Sequence, residues 1–304
     1  MATFIRGTDI GDAWLHAFEA IHANGGSLVN LAVEISNPRM EDLGVRQVIE
    51  ETLVQLNRSG KTTNQSIHTV ANTIFPISLY RPEVEGAADR FLSNALKAET
   101  IRRHSAHRRW GSYLGRLVAY PSRDGQPTNQ LDLILRRLRS GPPHFSDLYE
   151  IPIASPGNGD ELGDWDGESR DTSVAVGAIL HGDIHADALR RGGPCLAHIS
   201  LTLEEGALSM VALYRRHSYI PRAYGNFLGL ARLLVFLSVE SGHEVGNLLV
   251  VTGHAVDDAS GRKVLLDAAR TNQGEVAEIE WHARSLGASW SDLELTTHVK
   301  SSQR

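Results

Sequence analysis

The only cysteine of the 304-residue chain is Cys195, in the segment GGPCLAHISL. A Gly-Gly-Pro turn precedes it and a strand-like run follows it, so the thiol stands where a strand is predicted to begin. A strand terminus can hold a side chain rigidly toward a cleft, where a thiolate acts as a nucleophile. A lone cysteine also packs well as a small buried hydrophobic group. The segment by itself leaves both interpretations open.

A second group of reactive residue types lies in LYRRHSYIPRAYGN, between a strand-like run and an apolar helix. Guanidinium forks and hydroxyl groups in so short a span suit an anionic ligand such as a phosphate. A solvated surface loop has the same composition, so this segment alone does not decide either. The candidate binding residues are Arg215, Arg216, His217, Ser218, Arg222 and Asn226.

The segment HGDIHAD alternates histidine and aspartate, and its four polar side chains would share one face if the backbone is extended. Such alternation can chelate zinc or iron. Neither a cysteine nor a third histidine stands at a supporting spacing, so we predict a solvated strand end and no metal site. The residues concerned are His181, Asp183, His185 and Asp187.

Composition excludes several classes of protein. The formal net charge of −6 argues against a polynucleotide partner, because binding to a nucleic-acid backbone depends on many cationic contacts. The composition, 41% hydrophobic and 22% charged, is that of an ordinary globular protein. One cysteine cannot form an intramolecular disulfide, and we find neither a signal-like apolar run nor a membrane span of roughly 20 apolar residues. We therefore expect a cytoplasmic protein without a membrane partner.

Helices and strands alternate through the first half of the chain. Apolar spacing predicts helices over 12–23, 41–56 and NQLDLILRRLRSG, and a strand in SLVNLAVEIS. The run RWGSYLGRLVAYPS predicts a short strand after a glycine turn. Residues 155–172 are rich in glycine, serine and acids, which indicates a flexible surface insertion within a single domain.

The sequence of the second half of the chain predicts the strands and the helix that surround Cys195. The run LAHISLTLEEGALSMVALYRR predicts two strands joined at Glu204-Glu205-Gly206, and FLGLARLLVFLSVESG predicts a buried helix followed by the buried strand NLLVVTGHAV. Neither GxxxxGK[ST] nor GxGxxG occurs, which argues against a nucleoside triphosphatase or a Rossmann dehydrogenase.

Taken in order, these segments resemble the thymidylate synthase and pyrimidine hydroxymethylase superfamily. PCLAHISLTLEEGALSMVALYRRHS resembles the nucleophile strand, the hairpin and the phosphate-binding segment of that family. SYLGRLVAYPSRDGQPTNQLDLILRRLRSGPP is similar to its Tyr-Gly turn and the helix that follows, and FLGLARLLVFLSVESGHEVGNLLVVTGHA to its core helix and next strand. The resemblance covers about half of the chain. It implies one α+β domain over 1–304, with a large mixed β-sheet flanked by helices and a homodimer that packs sheet against sheet.

The resemblance also implies a reaction. The thiolate of Cys195 would add to C6 of a pyrimidine nucleotide, and C5 would then take a one-carbon unit from 5,10-methylenetetrahydrofolate as a methyl or hydroxymethyl group. Arg216 would hold the phosphate and keep the thiol ionised. His217 and Ser218 would add hydrogen bonds to that phosphate, and Tyr113 would lie near the thiol and the base. The catalytic glutamate of the family would correspond to Glu83 or Glu85.

The chain departs from the family pattern at several recognition positions. Tyr219 replaces the folate-facing aspartate, and the base-reading asparagine falls at Asn226 or Phe227 with a shift of one residue. Pro143-His144-Phe145 stands where the family has arginines that reach the partner's site. The phosphate contacts would then come from Arg215, Arg222 or the basic run 102–109.

The sugar contacts depart from the pattern as well, because Val256-Asp257-Asp258 replaces a His-x-Tyr. We expect a folate-dependent C5 transferase acting on a pyrimidine nucleotide. The alternatives are a nucleotide-binding or interaction protein that keeps only the fold, and a metal-dependent enzyme using the HGDIHAD segment.

Overall fold

The computed structural model describes residues 2–59, 63–103, 112–120, 127–140, 150–153, 194–257 and 262–279. These ranges form an α+β fold, with a large mixed sheet flanked by helices. The strands are β1 (Thr3–Gly7), β2 (Ser27–Ile35), β3 (Met40–Asp42), β4 (Glu150–Pro152), β5 (Leu196–Glu204), β6 (Ala207–Ser218), β7 (Glu244–Val256) and β8 (Val276–Glu278). The helices are α1 (Ile10–Ala23), α2 (Leu43–Arg58), α3 (Ile67–Ala71), α4 (Ala87–Arg103), α5 (Tyr113–Val118), α6 (Gln130–Arg139), α7 (Tyr224–Ser241) and α8 (Arg262–Asn272).

The main sheet has six strands in the order β1-β2-β7-β6-β5-β4, and β3 pairs with β8 in a separate ribbon. Within the main sheet, β1 runs parallel to β2 and β6 runs parallel to β7, while the other neighbours are antiparallel. The hairpin between β5 and β6 turns at Glu205 and Gly206, both of which have positive φ. A two-residue turn of this kind matches the twist of the flanking strands and fixes their register.

One face of the sheet is covered by α1, which packs on β1 and β2, and by α7, which packs on β6 and β7. Helix α7 is buried along most of its length, as its apolar sequence predicts, and is capped after Ser241 by Gly242, whose φ of 78° lies in the left-handed region that glycine adopts most readily. The segment Tyr219–Ser241 is long and apolar enough to cross a membrane, contrary to our expectation that no such run occurs. Because 89% of its apolar window is buried inside the fold, it fits equally the role of a core helix.

The opposite face of the sheet, which we call the open face, carries partly exposed apolar side chains. Side chains alternate between the two faces of a strand, so residues in register form rows across the sheet. One row on the open face is Glu150, Ser200, Val211, Leu249, Glu34 and Arg6. The next row is Pro152, His198, Leu213, Val251, Ala32 and Phe4.

The strand predicted after the glycine turn is wrong, because residues Tyr113–Val118 form helix α5. The hydroxyl of Ser112 accepts a hydrogen bond from the N–H of Gly115 (3.0 Å) and so caps the helix. Leu114, Leu117 and Val118 are buried, at a spacing of three and four residues. A run this short fits either periodicity, and only the cap and the surrounding core favour the helix.

Candidate active site

Cys195 directly precedes β5 and is half-buried. Its carbonyl accepts a hydrogen bond from the backbone N–H of Arg215 (2.9 Å), and the next residue, Leu196, pairs with Tyr214 of β6. The register shifts between Leu196 and His198, and such a bulge turns the following side chain relative to a regular strand. Contacts with β6 therefore fix the backbone beside the thiol.

The hydroxyl of Tyr113 holds the same backbone from the side of α5. Its oxygen accepts hydrogen bonds from the N–H of Cys195 (3.2 Å) and from the N–H of Leu196 (3.3 Å). Burial, with a smaller contribution from the Cys195 charge, raises the pKa of Tyr113 to about 12. The phenol is therefore protonated at neutral pH and keeps its own O–H as a donor beside the thiol.

Three arginines act on the thiol through their charge. Burial raises the pKa of Cys195 above its ordinary value, and Arg215, Arg216 and Arg222 oppose that rise, in this order of strength. The guanidinium of Arg215 donates to the carbonyl of Pro194 (Nε, 3.1 Å). Because burial prevails, the thiol is mainly protonated in the ligand-free protein and needs a nearby base to ionise.

Arg215 makes the largest contribution to lowering the Cys195 pKa. Arg215→Gln removes the strongest of the three opposing charges, so the Cys195 pKa should rise further and less thiolate should be present at any pH below it. We expect alkylation by iodoacetamide at pH 8 to slow severalfold, and its pH profile to shift to higher pH. Arg215→Lys keeps the charge and serves as the control. Equal profiles for the glutamine and lysine variants would contradict the electrostatic effect.

Arg215 and Arg216 lie on β6, and a π-helical turn, Tyr219–Ala223, joins β6 directly to α7. Turns of this type are often found at functional sites. Arg222 lies in the turn, and its Nη1 donates to Oε1 of Gln65 (2.5 Å) in the segment before α3. Arg216 is exposed and Ser218 is half-buried at the end of β6, so both are accessible to a ligand.

His217 and Asn226 are placed differently from the arginines, because both side chains are buried in the interior. The amide Nδ2 of Asn226 donates to Nε2 of His217 (2.9 Å). Burial lowers the pKa of His217 to about 3, so the imidazole is neutral. The resemblance implies that His217 binds a phosphate. A neutral imidazole could donate a hydrogen bond to it but would add no positive charge.

The acidic residues differ in their surroundings. Glu83 and Glu85 are exposed in the segment before α4, and the charge of Glu83 acts on Tyr80. Glu99, near the end of α4, is instead 3% exposed and accepts a hydrogen bond from the hydroxyl of Ser112 (2.8 Å). That hydroxyl caps α5, the helix that begins with Tyr113.

The sequence analysis did not select Glu99, although its burial could have been predicted from the spacing of apolar residues on α4. Phe91, Leu92 and Ala95 are buried on α4, and Glu99 follows them at helical spacing, four residues after Ala95. Its position on the buried face could have been read from that periodicity. Gln65 and Tyr214 were missed as well, and their proximity to the site follows only from the tertiary structure.

Several residues discussed from the sequence lie outside the described ranges. Within the ranges that are described, no group of three histidine, cysteine or acidic side chains is placed to hold a metal ion. The regions outside them include the HGDIHAD segment, the insertion 155–172, Pro143-His144-Phe145, residues 104–109 of the basic run and Asp258.

Comparison with known proteins adds no further constraint on this site. No protein-family model matches the chain. No curated protein matches it either.

Proposed function

We propose that the protein transfers a one-carbon unit, as a methyl or hydroxymethyl group, to C5 of a pyrimidine nucleotide through the thiol of Cys195. The observation that supports this most is that three arginines act through their charge on a single thiol at the start of β5, while the Tyr113 hydroxyl binds the backbone beside that thiol. A nucleophile beside a cationic anion-binding surface is what covalent attack on a nucleotide requires. The identification of the substrate as a pyrimidine nucleotide and of the carbon donor as a folate rests on the resemblance of the ordered sequence segments.

The residues of the chain can begin this reaction at the pyrimidine ring. The Cys195 thiol loses its proton to a base or to solvent, the resulting thiolate forms a bond to C6, and the π electrons of the C5–C6 bond move onto C5 and the conjugated carbonyl oxygen. C5 can then take a proton from solvent, lose its original hydrogen to a base, and expel the thiolate to restore the double bond. Arg216 would hold the phosphate, and Arg215 and Arg222 would stabilise the thiolate.

The described residues do not reproduce the folate contact that the resemblance implies. Tyr219 stands in the place of a carboxylate, and its phenol is fully buried against Trp14, with ring centroids 6.2 Å apart. We therefore derive no step through the folate and propose 5,10-methylenetetrahydrofolate as carbon donor on the resemblance alone. The hydrogen exchange at C5 needs only the pyrimidine and the protein.

The test is mass spectrometry of C5-deuterated uridine and cytidine nucleotides, ribo and deoxy, with and without methylenetetrahydrofolate. Loss of deuterium without folate would support attack by the thiol, and a gain of one carbon with folate would support transfer. Exchange on one base only would name the substrate. The proposal fails if tightly bound nucleotides exchange no deuterium.

We propose Glu99 as the carboxylate that moves the C5 proton, since it is buried and bonded to the cap of the helix that carries Tyr113. Glu99→Gln keeps the shape of the side chain, so we expect folded protein with C5 exchange reduced roughly 10²-fold, as for loss of a general acid or base. The measurement is the exchange rate at saturating nucleotide. If Glu83→Gln or Glu85→Gln gave that loss instead, the carboxylate would be the one implied by the family resemblance.

Gly115→Ala tests the same contact without altering the acid. A Cβ at this position would lie 2.4 Å from Oε1 of Glu99, so the carboxylate would have to leave its bond with Ser112. We expect a loss of about 1–3 kcal/mol in the free energy of unfolding, the usual cost of an unsatisfied buried polar group. Chemical denaturation measures it, and wild-type stability would show that Glu99 moves freely.

A second candidate function is nucleotide binding without turnover. The raised pKa of Cys195 favours it, because a thiol that stays protonated is a poor nucleophile. The exchange experiment separates the two functions: the transferase exchanges deuterium at C5, and the binding protein retains it.

We also propose that the protein is a homodimer in which two open faces pack against each other. Phe4, Val211 and Leu213 are 57%, 38% and 42% exposed on this face. Polar pairs flank the apolar strip formed by the middle strands: Arg6 with Glu34 on one side and Ser200 with Glu150 on the other. An apolar centre with a polar rim is the usual composition of such an interface.

A further inference from the structure

Four tyrosines are fully buried in the described core, and they fall into two pairs. The hydroxyl of Tyr80 donates to Glu240 (2.6 Å), and that of Tyr224 donates to the carbonyl of Asp42 (3.1 Å). Within the described ranges, the hydroxyls of Tyr214 and Tyr219 have no hydrogen-bond partner. Because a buried tyrosine hydroxyl normally has a partner, the second pair requires an explanation.

Both tyrosines without a partner contact the same imidazole. Tyr214 stacks on His217 with ring centroids 4.3 Å apart and planes within 4°, and Tyr219 meets it edge-on at 5.9 Å. The amide of Asn226 can only donate to Nε2 of His217, so the neutral ring carries its proton on Nδ1. In the described part of the chain, this Nδ1–H also has no partner.

Tyr214 connects these three groups to the region of the thiol. Tyr214 pairs across the sheet with Leu196, the residue that follows Cys195. The backbone N–H groups of both Cys195 and Leu196 bind the Tyr113 hydroxyl. Ser238 also has a buried hydroxyl without a partner, but it lies twelve residues beyond Asn226 on α7, about 18 Å away at 1.5 Å per residue.

The group is uncharged, since burial keeps the His217 imidazole neutral and the two phenols protonated. It offers two hydroxyls, each able to donate and accept, and one N–H donor. A charged ligand group would find no counter-ion among these three side chains, whereas a heterocycle with carbonyl and N–H groups would match them. The unpaired groups destabilise the free protein. A ligand that forms hydrogen bonds with them removes this cost and so gains binding free energy.

We propose that Tyr214, His217 and Tyr219 form a subsite that binds the uncharged ring of the substrate that Cys195 attacks. The identification of the ring as a pyrimidine base rests on the proposed function, but the neutral, hydrogen-bonding character of the subsite does not. The arginines hold the anionic end of the ligand, and this subsite selects its base. The subsite would prefer the base whose donors and acceptors form hydrogen bonds with all three groups, because any other base would leave a buried polar group unpaired.

The first arm of the test measures thermal unfolding without ligand. Tyr214→Phe and Tyr219→Phe remove hydroxyls that have no partner and keep the ring contacts, so we expect the melting temperature to stay within about 1 °C of wild type or to rise. Tyr80→Phe is the matched control, because it removes a hydroxyl bonded to Glu240. It should lower the melting temperature by about 2–6 °C.

The second arm measures equilibrium binding by calorimetry in the Cys195→Ala protein, where no covalent adduct can form. The probes are uridine, cytidine, thymidine, adenosine and guanosine 5′-monophosphates, with inorganic phosphate as a probe of the arginines alone. We expect Tyr214→Phe and Tyr219→Phe each to weaken binding of the preferred nucleotide about tenfold, as for the loss of one hydrogen bond. Phosphate affinity should not change, and Tyr80→Phe should alter neither.

The subsite is overturned if both variants destabilise the protein as Tyr80→Phe does and bind nucleotides like the parent. It is also overturned if phosphate affinity falls by the same factor, or if no nucleotide binds more tightly than phosphate. A purine nucleotide that depends on Tyr214 would confirm the subsite and contradict the proposed pyrimidine chemistry. The two proposals therefore fail separately.

Discussion

Replacing Cys195 by alanine is expected to abolish C5 hydrogen exchange and one-carbon transfer, with a loss of roughly 10⁴-fold or more. The proposed reaction needs a bond from sulfur to C6, and no other cysteine exists in the chain to form it. The fold should survive, because the side chain is only half-buried and the hydrogen bonds that fix residue 195 come from its backbone. The measurement is deuterium loss from C5-labelled nucleotide by mass spectrometry.

Cys195→Ser is the companion variant, since it keeps the size of the side chain but replaces the thiol with a much weaker nucleophile. We expect it to bind nucleotide with wild-type affinity while exchange stays near background. Deuterium loss at the wild-type rate in either variant would contradict the role of the thiol. In that case the arginines would form an anion-binding site without a catalytic role.

Replacing Leu213 by aspartate is expected to convert a dimer into a monomer. Leu213 lies in the middle of the open face, with His198 and Val251 as its neighbours in the row, and is 42% exposed in the single chain. A symmetric interface would bury two added carboxylates, each costing about 2–3 kcal/mol, so the dimer should weaken on the order of 10³ to 10⁴-fold. Light scattering coupled to size-exclusion chromatography would show a mass falling from twice to once 33.3 kDa.

Val264→Asp is the control, because Val264 is 75% exposed on α8, away from the main sheet. It should leave the mass unchanged. A wild-type protein that runs as a monomer, or a Leu213→Asp variant that remains a dimer, would refute the sheet-to-sheet interface. The Leu213 variant also tests for folding, since its thermal unfolding should remain cooperative.

The long elements were predictable because their sequences carry strong periodic signals. The α1 and β2 predictions are confirmed with shifts of at most two residues at the ends, and the buried α7 between its two strands is confirmed with a start three residues earlier than predicted. The hairpin before the arginines is also confirmed, since Glu205-Gly206 is a turn pair placed between two alternating runs. The helix predicted over 41–56 begins at Leu43 instead, because Met40–Asp42 pairs with β8 from a distant part of the chain.

Parts of the candidate site depend on contacts between residues far apart in the sequence. The position of Glu99 against Gly115 and Ser112 requires α4 and α5 to pack closely, and no local pattern encodes that packing. The bond from Arg222 to Gln65 spans 157 residues. Side chains that meet in this way are specified by the whole core, so single segments do not reveal them.

The sequence by itself determined the types of the main elements and the residues able to do chemistry, because periodicity and residue type are local properties. It supplied the lone thiol at a predicted strand start and the arginine cluster after a hairpin. The tertiary structure decided which of these groups meet: it brought three arginines and Tyr113 to Cys195, and it turned His217 into the interior, where burial removes its charge. Burial and distance are properties of the folded chain as a whole, and they fix the charge states on which the proposed reaction depends.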